Sequence, residues 1–171
     1  MHAASDGEGK GSTFTLHIPL AEERVALVSP PKAETLDGHN SELAGLRVLL
    51  VEDEPDAREL LMLTLKVSGA EVQAVESAQQ AMVGLHSFKP DVLLSDIGLP
   101  FESGYDLIQK IRSLPSESSR IPAVALTAFA SERDRQRALD SGFQIHLAKP
   151  VEPRALIQAI DQLVHRKEGR L

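Results

Sequence analysis

The residues that could do chemistry stand at the ends of four short apolar runs. The run Asp91-Val-Leu-Leu-Ser-Asp96-Ile-Gly-Leu-Pro100 delivers an acid, Asp96, just before Gly98 and Pro100 force a loop. Glu52 and Asp53 follow a second run, Thr127 ends a third, and Lys149 with Pro150 closes a fourth. If the first two of these runs, strands one and three in chain order, are neighbours, Glu52, Asp53 and Asp96 converge within a few ångströms. Three carboxylates that close stay ionised only when something offsets their repulsion. A hard divalent cation such as Mg²⁺ can do so, and so can the Lys149 ammonium. Phosphoryl transfer needs those parts, because the moving group spreads negative charge over three oxygens. Asp96 is the candidate nucleophile, Mg²⁺ and Lys149 the neutralising charges, and the Thr127 hydroxyl a further donor.

The elements that must hold these residues alternate regularly from Leu46 onward. Leu46–Val51 reads as a strand, and Pro55–Val67 as a helix with Ala57, Leu60, Leu61, Thr64 and Leu65 on one face. Pro55 suits its first turn, and Gly69 stops it. Glu71–Val75 is a second strand, and Ser77 caps a helix running to about His86. Val92–Ser95 is apolar on both faces until its last position, as in a parallel sheet covered by helices on both sides. Ser103 caps a helix through Leu114, Pro122–Leu126 is the fourth strand, and Glu132–Ser141 a polar helix. Phe143–Leu147 is the fifth strand and Pro153–His165 the last helix, with Leu156, Ile160, Leu163 and Val164 inward. Five βα units predict an α/β fold, a doubly wound parallel sheet with its site at the carboxyl ends of the strands.

With these residues assembled, the stretch 46–167 resembles a response-regulator receiver domain of two-component signalling. The resemblance rests on Val-Glu52-Asp53-Glu, on Asp91 through Asp96 to Pro100, on Ala-Leu-Thr127-Ala and on Leu-Ala-Lys149-Pro150. It implies a flavodoxin-like (βα)5 fold with strand order 2-1-3-4-5. It implies Asp96 as phosphoacceptor, Asp53 as direct Mg²⁺ ligand, Glu52 acting through a metal-bound water, and Gly98 offering its carbonyl. Thr127 becomes the switch hydroxyl, Lys149 the phosphoryl-binding lysine, and the Lys149–Pro150 bond is expected cis. His146 falls where the family carries a switch aromatic. Two readings of it stay open, a moving switch side chain and an imidazole packed on the fifth strand. Leu99 replaces the family's common Met.

Residues 1–45 differ in kind. Gly7-Glu-Gly-Lys-Gly-Ser-Thr-Phe14 followed by Thr-Leu-His-Ile-Pro-Leu20 resembles the last glycine box and final strand of a histidine-kinase ATP-binding domain. Residues 1–20 are therefore expected to be a kinase remnant and 21–45 a linker, with Phe14, Leu16, Ile18 and Leu20 sharing one strand face. The expected whole is the C-terminal receiver of a hybrid histidine kinase, phosphorylated by a histidine kinase or a histidine phosphotransfer protein. The phosphorylated state would alter the face made by the fourth helix, fifth strand and fifth helix. A stand-alone single-domain regulator is the alternative. A Mg²⁺-dependent phosphatase of similar topology is disfavoured, because the position two after Asp96 is Gly98 rather than an acid. The chain lacks a complete kinase core, so enzyme status stays open at this point.

Composition narrows the rest. There are 18 Lys and Arg against 25 Asp and Glu, a net of -7, and no basic stripe, which argues against nucleic acid as a partner. The absence of cysteine excludes disulfides and thiolate metal sites, and fits a cytoplasmic location. No apolar run approaches the roughly 20 residues that span a bilayer, so direct membrane contact is not expected.

Overall fold

A computed structural model describes residues 2–5, 7, 9–15, 42–128 and 131–168. The chain divides into two compact units, 1–38 and 39–171.

In the first unit, strand β1 (His2–Ala4) pairs antiparallel with β2 (Thr13–Thr15), Ala3 opposite Phe14. Gly7, Gly9 and Gly11 all have positive φ, a region open to residues without a Cβ. The sequence placed a strand over 13–20 with no partner in the residues after it; its partner precedes it. The strand is described only as Thr13–Thr15, and Phe14 is exposed rather than on a buried face. Residues 16–41, including most of the expected linker, lie outside the described residues.

The second unit is one five-stranded parallel sheet wound with helices on both faces. Its strands are β3 (Arg47–Val51), β4 (Glu71–Val75), β5 (Val92–Asp96), β6 (Ala123–Thr127) and β7 (Ile145–Ala148). Their spatial order is β4-β3-β5-β6-β7, the 2-1-3-4-5 order expected. The helices are α1 (Pro55–Val67), α2 (Ala78–Ser87), α3 (Gly104–Arg112), α4 (Glu132–Ser141) and α5 (Pro153–Glu168), with a 3-10 turn at Glu117–Arg120.

Local chemistry sets the helix ends. Ser77 accepts a bond from Gln80 N at α2, and Ser103 and Asp106 form a reciprocal capping box at α3. Ser131 caps α4, which ends on Gly142 at φ +118°. The strands alternate between two cores. Val48, Leu50, Leu94 and Leu126 pack with α1 and α5 residues such as Leu61, Leu65, Leu156 and Ile160. Leu49, Leu93, Ala123 and Ala125 pack with Leu85, Leu107, Ile108 and Ile111 of α2 and α3. Every residue of β5 and β6 is buried, as central strands of a two-sided sheet require.

Two sequence expectations are corrected here. Leu60, assigned to the buried face of α1, is 65% exposed. The face is centred on Leu61 and Leu65, and Leu60 lies about 100° around the helix from Leu61. The expected linker, 21–45, runs too far. Leu43 is completely buried beside α1 and α5, and its N–H donates to Ser68 O at 3.1 Å. The sequence disguised it, because one apolar residue among Gly, Asn and Ser carries no periodicity.

Candidate phosphoacceptor site

The site is built where β3, β5, β6 and β7 end. Val51 pairs with Ser95, Asp96 with Leu126, and Thr127 with Ala148, so the strand ends are level across the sheet. β3 therefore delivers Glu52 and Asp53 beside Asp96. Glu52 is fully buried and Asp53 exposed. Arg58, one turn into α1, donates from Nη1 to Glu52 O at 2.8 Å and Asp53 O at 2.9 Å, fixing the acidic turn.

Asp96 is 7% exposed. Its Oδ1 accepts from Gly98 N at 3.0 Å, and its Oδ2 from Lys149 Nζ at 2.7 Å. The same ammonium donates to Glu52 Oε1 at 2.8 Å and lies 2.7 Å from Oε2. Lys149 thus bridges two acids that would otherwise repel one another. Its own N–H donates to Thr127 O at 2.7 Å, which joins the ends of β6 and β7. The Lys149–Pro150 bond is cis. Thr127 is buried at the last position of β6. His146, half-buried on β7, has a buried Nε2 without a hydrogen-bond partner.

Electrostatics follow from this packing. Burial pushes the Glu52 carboxyl above its ordinary value of 4.5; the Lys149 hydrogen bond pulls it down, and the charges of Asp96 and Asp53 push it further up. Burial alone would lower Lys149. The hydrogen bonds and charges of Asp96 and Glu52 more than offset it, and the amine stays protonated above its usual range.

Oxygens of Glu52, Asp53 and Asp96 come within 4.8 Å of one another. Glu52 Oε2 is buried, with the Lys149 ammonium as its charged neighbour. Three formal negative charges against one ammonium leave about two uncompensated, and every donor is a hard oxygen. This set fits a Mg²⁺-sized ion, which favours carboxylates and water.

The structure therefore brings Glu52, Asp53, Asp96 and Lys149 together and puts Thr127 at the adjoining strand end. It shows Gly98 through its amide on Asp96. Sequence reasoning missed Arg58, whose signal was its place one turn after the acidic pair. It also missed Gly104 as a packing position. A Cβ there would sit 2.3 Å from Asp96 O, so α3 begins pressed against the backbone of Asp96.

Known proteins carry the same architecture and motifs. A family model described as the response regulator receiver domain matches residues 48–161. The chain belongs to that family. An uncharacterised 14.6 kDa protein of Leptolyngbya boryana is 43% identical over 120 residues, 70% of this chain and 91% of that one. Hybrid signal transduction histidine kinase D of Dictyostelium discoideum is 32% identical over 143 residues. That match takes in 80% of this chain and 9% of the kinase. A gliding motility regulatory protein of Myxococcus xanthus is 35% identical over 86% of this chain, 18% of its own length. The chain thus spans a small part of these two relatives. Among solved structures, a response regulator of Chloroflexus aurantiacus superposes with a TM-score of 0.67 at 30% identity, covering 71% of this chain and 98% of that one. The receiver domain of a histidine kinase from Syntrophus aciditrophicus gives 0.65 at 28%, covering 71% and 91%.

Proposed function

We propose that this receiver takes a phosphoryl group from a phosphohistidine onto Asp96 and, by doing so, changes the surface it presents. The observation that carries the reading is the Lys149 bridge, one ammonium held between the buried carboxylates of Glu52 and Asp96. An Asp96 carboxylate oxygen attacks phosphorus while the phosphorus–nitrogen bond breaks. The electron pair returns to the imidazole nitrogen, whose ring keeps a proton on its other nitrogen and leaves neutral. Lys149 releases Asp96 and pairs with phosphoryl oxygens, and the Thr127 hydroxyl donates to another. Mg²⁺, held by Glu52, Asp53, Asp96 and Gly98, supplies positive charge against the phosphoryl oxygens when bound. Movement of Thr127 then frees His146 to reorient, biasing the face of α4, β7 and α5 between two states. The shallow seating of α4 favours this, since Ala138 is its one buried residue.

The partner proposed is a histidine kinase phosphodonor domain or a phosphotransfer protein. α1 starts directly after the acidic turn and carries Leu60, Leu63 and Val67 exposed along one stripe, opposite its buried face. A helix apolar on two sides has a second surface to cover, and a helical donor fits it. Nucleic acid is not proposed, given the net of -7.

The parent protein is proposed to be a hybrid histidine kinase, with 1–20 a remnant of its ATP-binding domain, 21–41 the linker and 42–167 the receiver, in the cytoplasm with its ATP supply. A contiguous match of 80% of the chain to the Dictyostelium hybrid kinase must start by about residue 35, ahead of the receiver. No helix among the described residues is long and apolar enough to cross a membrane.

The test is labelling with acetyl phosphate and Mg²⁺. The wild-type chain is expected to gain one phosphoryl group and Asp96→Asn none. A labelled Asp96→Asn chain overturns the assignment.

A further inference from the structure

Phe101 is the most exposed large hydrophobic residue among those described, at 110% of its reference area. Its backbone has φ +66°. Glu102 N donates to Pro100 O at 2.8 Å, so Phe101 is the central residue of a three-residue turn. Turns of this kind with positive φ are rare and strained, and glycine meets them without steric cost. Neither burial nor backbone preference accounts for a phenyl ring here.

The loop bearing it is firmly tied. Gly98 N bonds Asp96 Oδ1, and Gly104 N bonds Ile97 O at 3.0 Å. Glu102 is paired with Lys110 at 2.7 Å, and the Ser103–Asp106 box closes the far end. The ring is thus held out from a braced loop that begins at Asp96. Aromatic side chains that lose little freedom on contact are the usual anchors of protein interfaces.

Resting on the receiver reading above, we propose that Phe101 is a docking and specificity contact for the protein that phosphorylates Asp96. Reach fixes the occupant. A macromolecular donor must bring phosphorus to bonding distance of Asp96, five residues before Phe101, and its surface then meets the loop that carries the ring. An apolar recess beside the donor histidine receives it. A small phosphodonor has no such surface and passes the ring by.

The experiment compares three donors on the full chain with Mg²⁺. They are acetyl phosphate, phosphoramidate (the same phosphorus–nitrogen bond with no protein behind it) and an autophosphorylated histidine-kinase core, the one from a panel that labels wild type fastest. Phe101→Gly relieves the turn, so its thermal midpoint should equal or exceed that of wild type. Its labelling by both small donors should stay within about twofold. Transfer from the kinase core should fall about 30-fold through a raised KM, the loss expected for an aromatic anchor. Phe101→Tyr should restore most of it. Equal transfer from the kinase core to wild type and Phe101→Gly overturns the inference and leaves the receiver reading intact. So does a parallel loss with all three donors, which would make Phe101 part of the pocket. A kinase panel that fails on wild type while acetyl phosphate succeeds also overturns it. Wild type that no donor labels overturns the receiver reading itself.

Discussion

Replacing Gly104 by alanine is the most direct test of how Asp96, the proposed phosphoacceptor, is held. Gly104 is the first residue of α3, where alanine is otherwise a better helix former by up to ~1 kcal/mol. The added Cβ would meet Asp96 O at 2.3 Å, Ile97 Cα at 2.8 Å and Asp96 C at 3.1 Å. All three are backbone atoms, so no side chain can swing aside. Relief requires α3 and the end of β5 to separate by about 1 Å. Forcing extra volume into a packed site costs about 1–3 kcal/mol, and the helix gain recovers only part of that. A misplacement of that size at a reacting group typically lowers rate about 100-fold. Urea unfolding should therefore give Gly104→Ala a stability lower by about 1–2 kcal/mol. Labelling by acetyl phosphate at saturating Mg²⁺ should slow by one to two orders of magnitude. Unchanged stability with an unchanged labelling rate would show that α3 does not brace Asp96, and the reasoning would fail.

Other outcomes follow from the same packing. The Glu52 carboxyl titrates higher in the folded chain than at its ordinary 4.5, so the native state binds more protons and stability falls as pH rises from there through the displaced value. Urea unfolding across that window in metal-free buffer should show the decline in wild type and a flatter profile in Glu52→Gln; parallel profiles would count against it. Leu43→Ala should cost about 2–4 kcal/mol by chemical denaturation, because the side chain is fully buried, while Leu60→Ser on the exposed stripe stays within about 0.5 kcal/mol. Arg112 donates to Gly142 O, Ser119 O and Ile121 O at 2.7–3.0 Å, so Arg112→Met leaves three carbonyls short of a donor. A loss of about 3 kcal/mol is expected, with faster amide hydrogen exchange at the 3-10 turn and the α4–β7 junction.

Strand order came with the family resemblance, while the acidic cluster was legible because short apolar runs ending in Asp, Thr and Lys report both burial and the sheet edge. Periodicity gave α1, β4 and α4 their full extents. It misplaced Leu60, because Leu61 and Leu65 lie on one side of α1 and Leu60, Leu63 and Val67 on the other, and a window cannot say which side meets the sheet. Gly104 looked like any residue after a cap; its contact with Asp96 crosses from helix to strand and has no local signature. Arg112 has no signal in the sequence beyond its place at a helix end. Its guanidinium serves the carbonyls of Ser119 and Ile121 nearby and of Gly142, 30 residues away in sequence, which composition cannot reveal.

Leu43 has a mechanical corollary. It fastens the incoming polypeptide at the start of β3 and the far end of α1. Five residues of strand at about 3.3 Å each place that anchor roughly 15 Å from the acids, at the opposite pole of the sheet. A pull applied at residue 42 is borne by Leu43 and Ser68 before it reaches the sheet, and the carboxyl ends of the strands stay under no load.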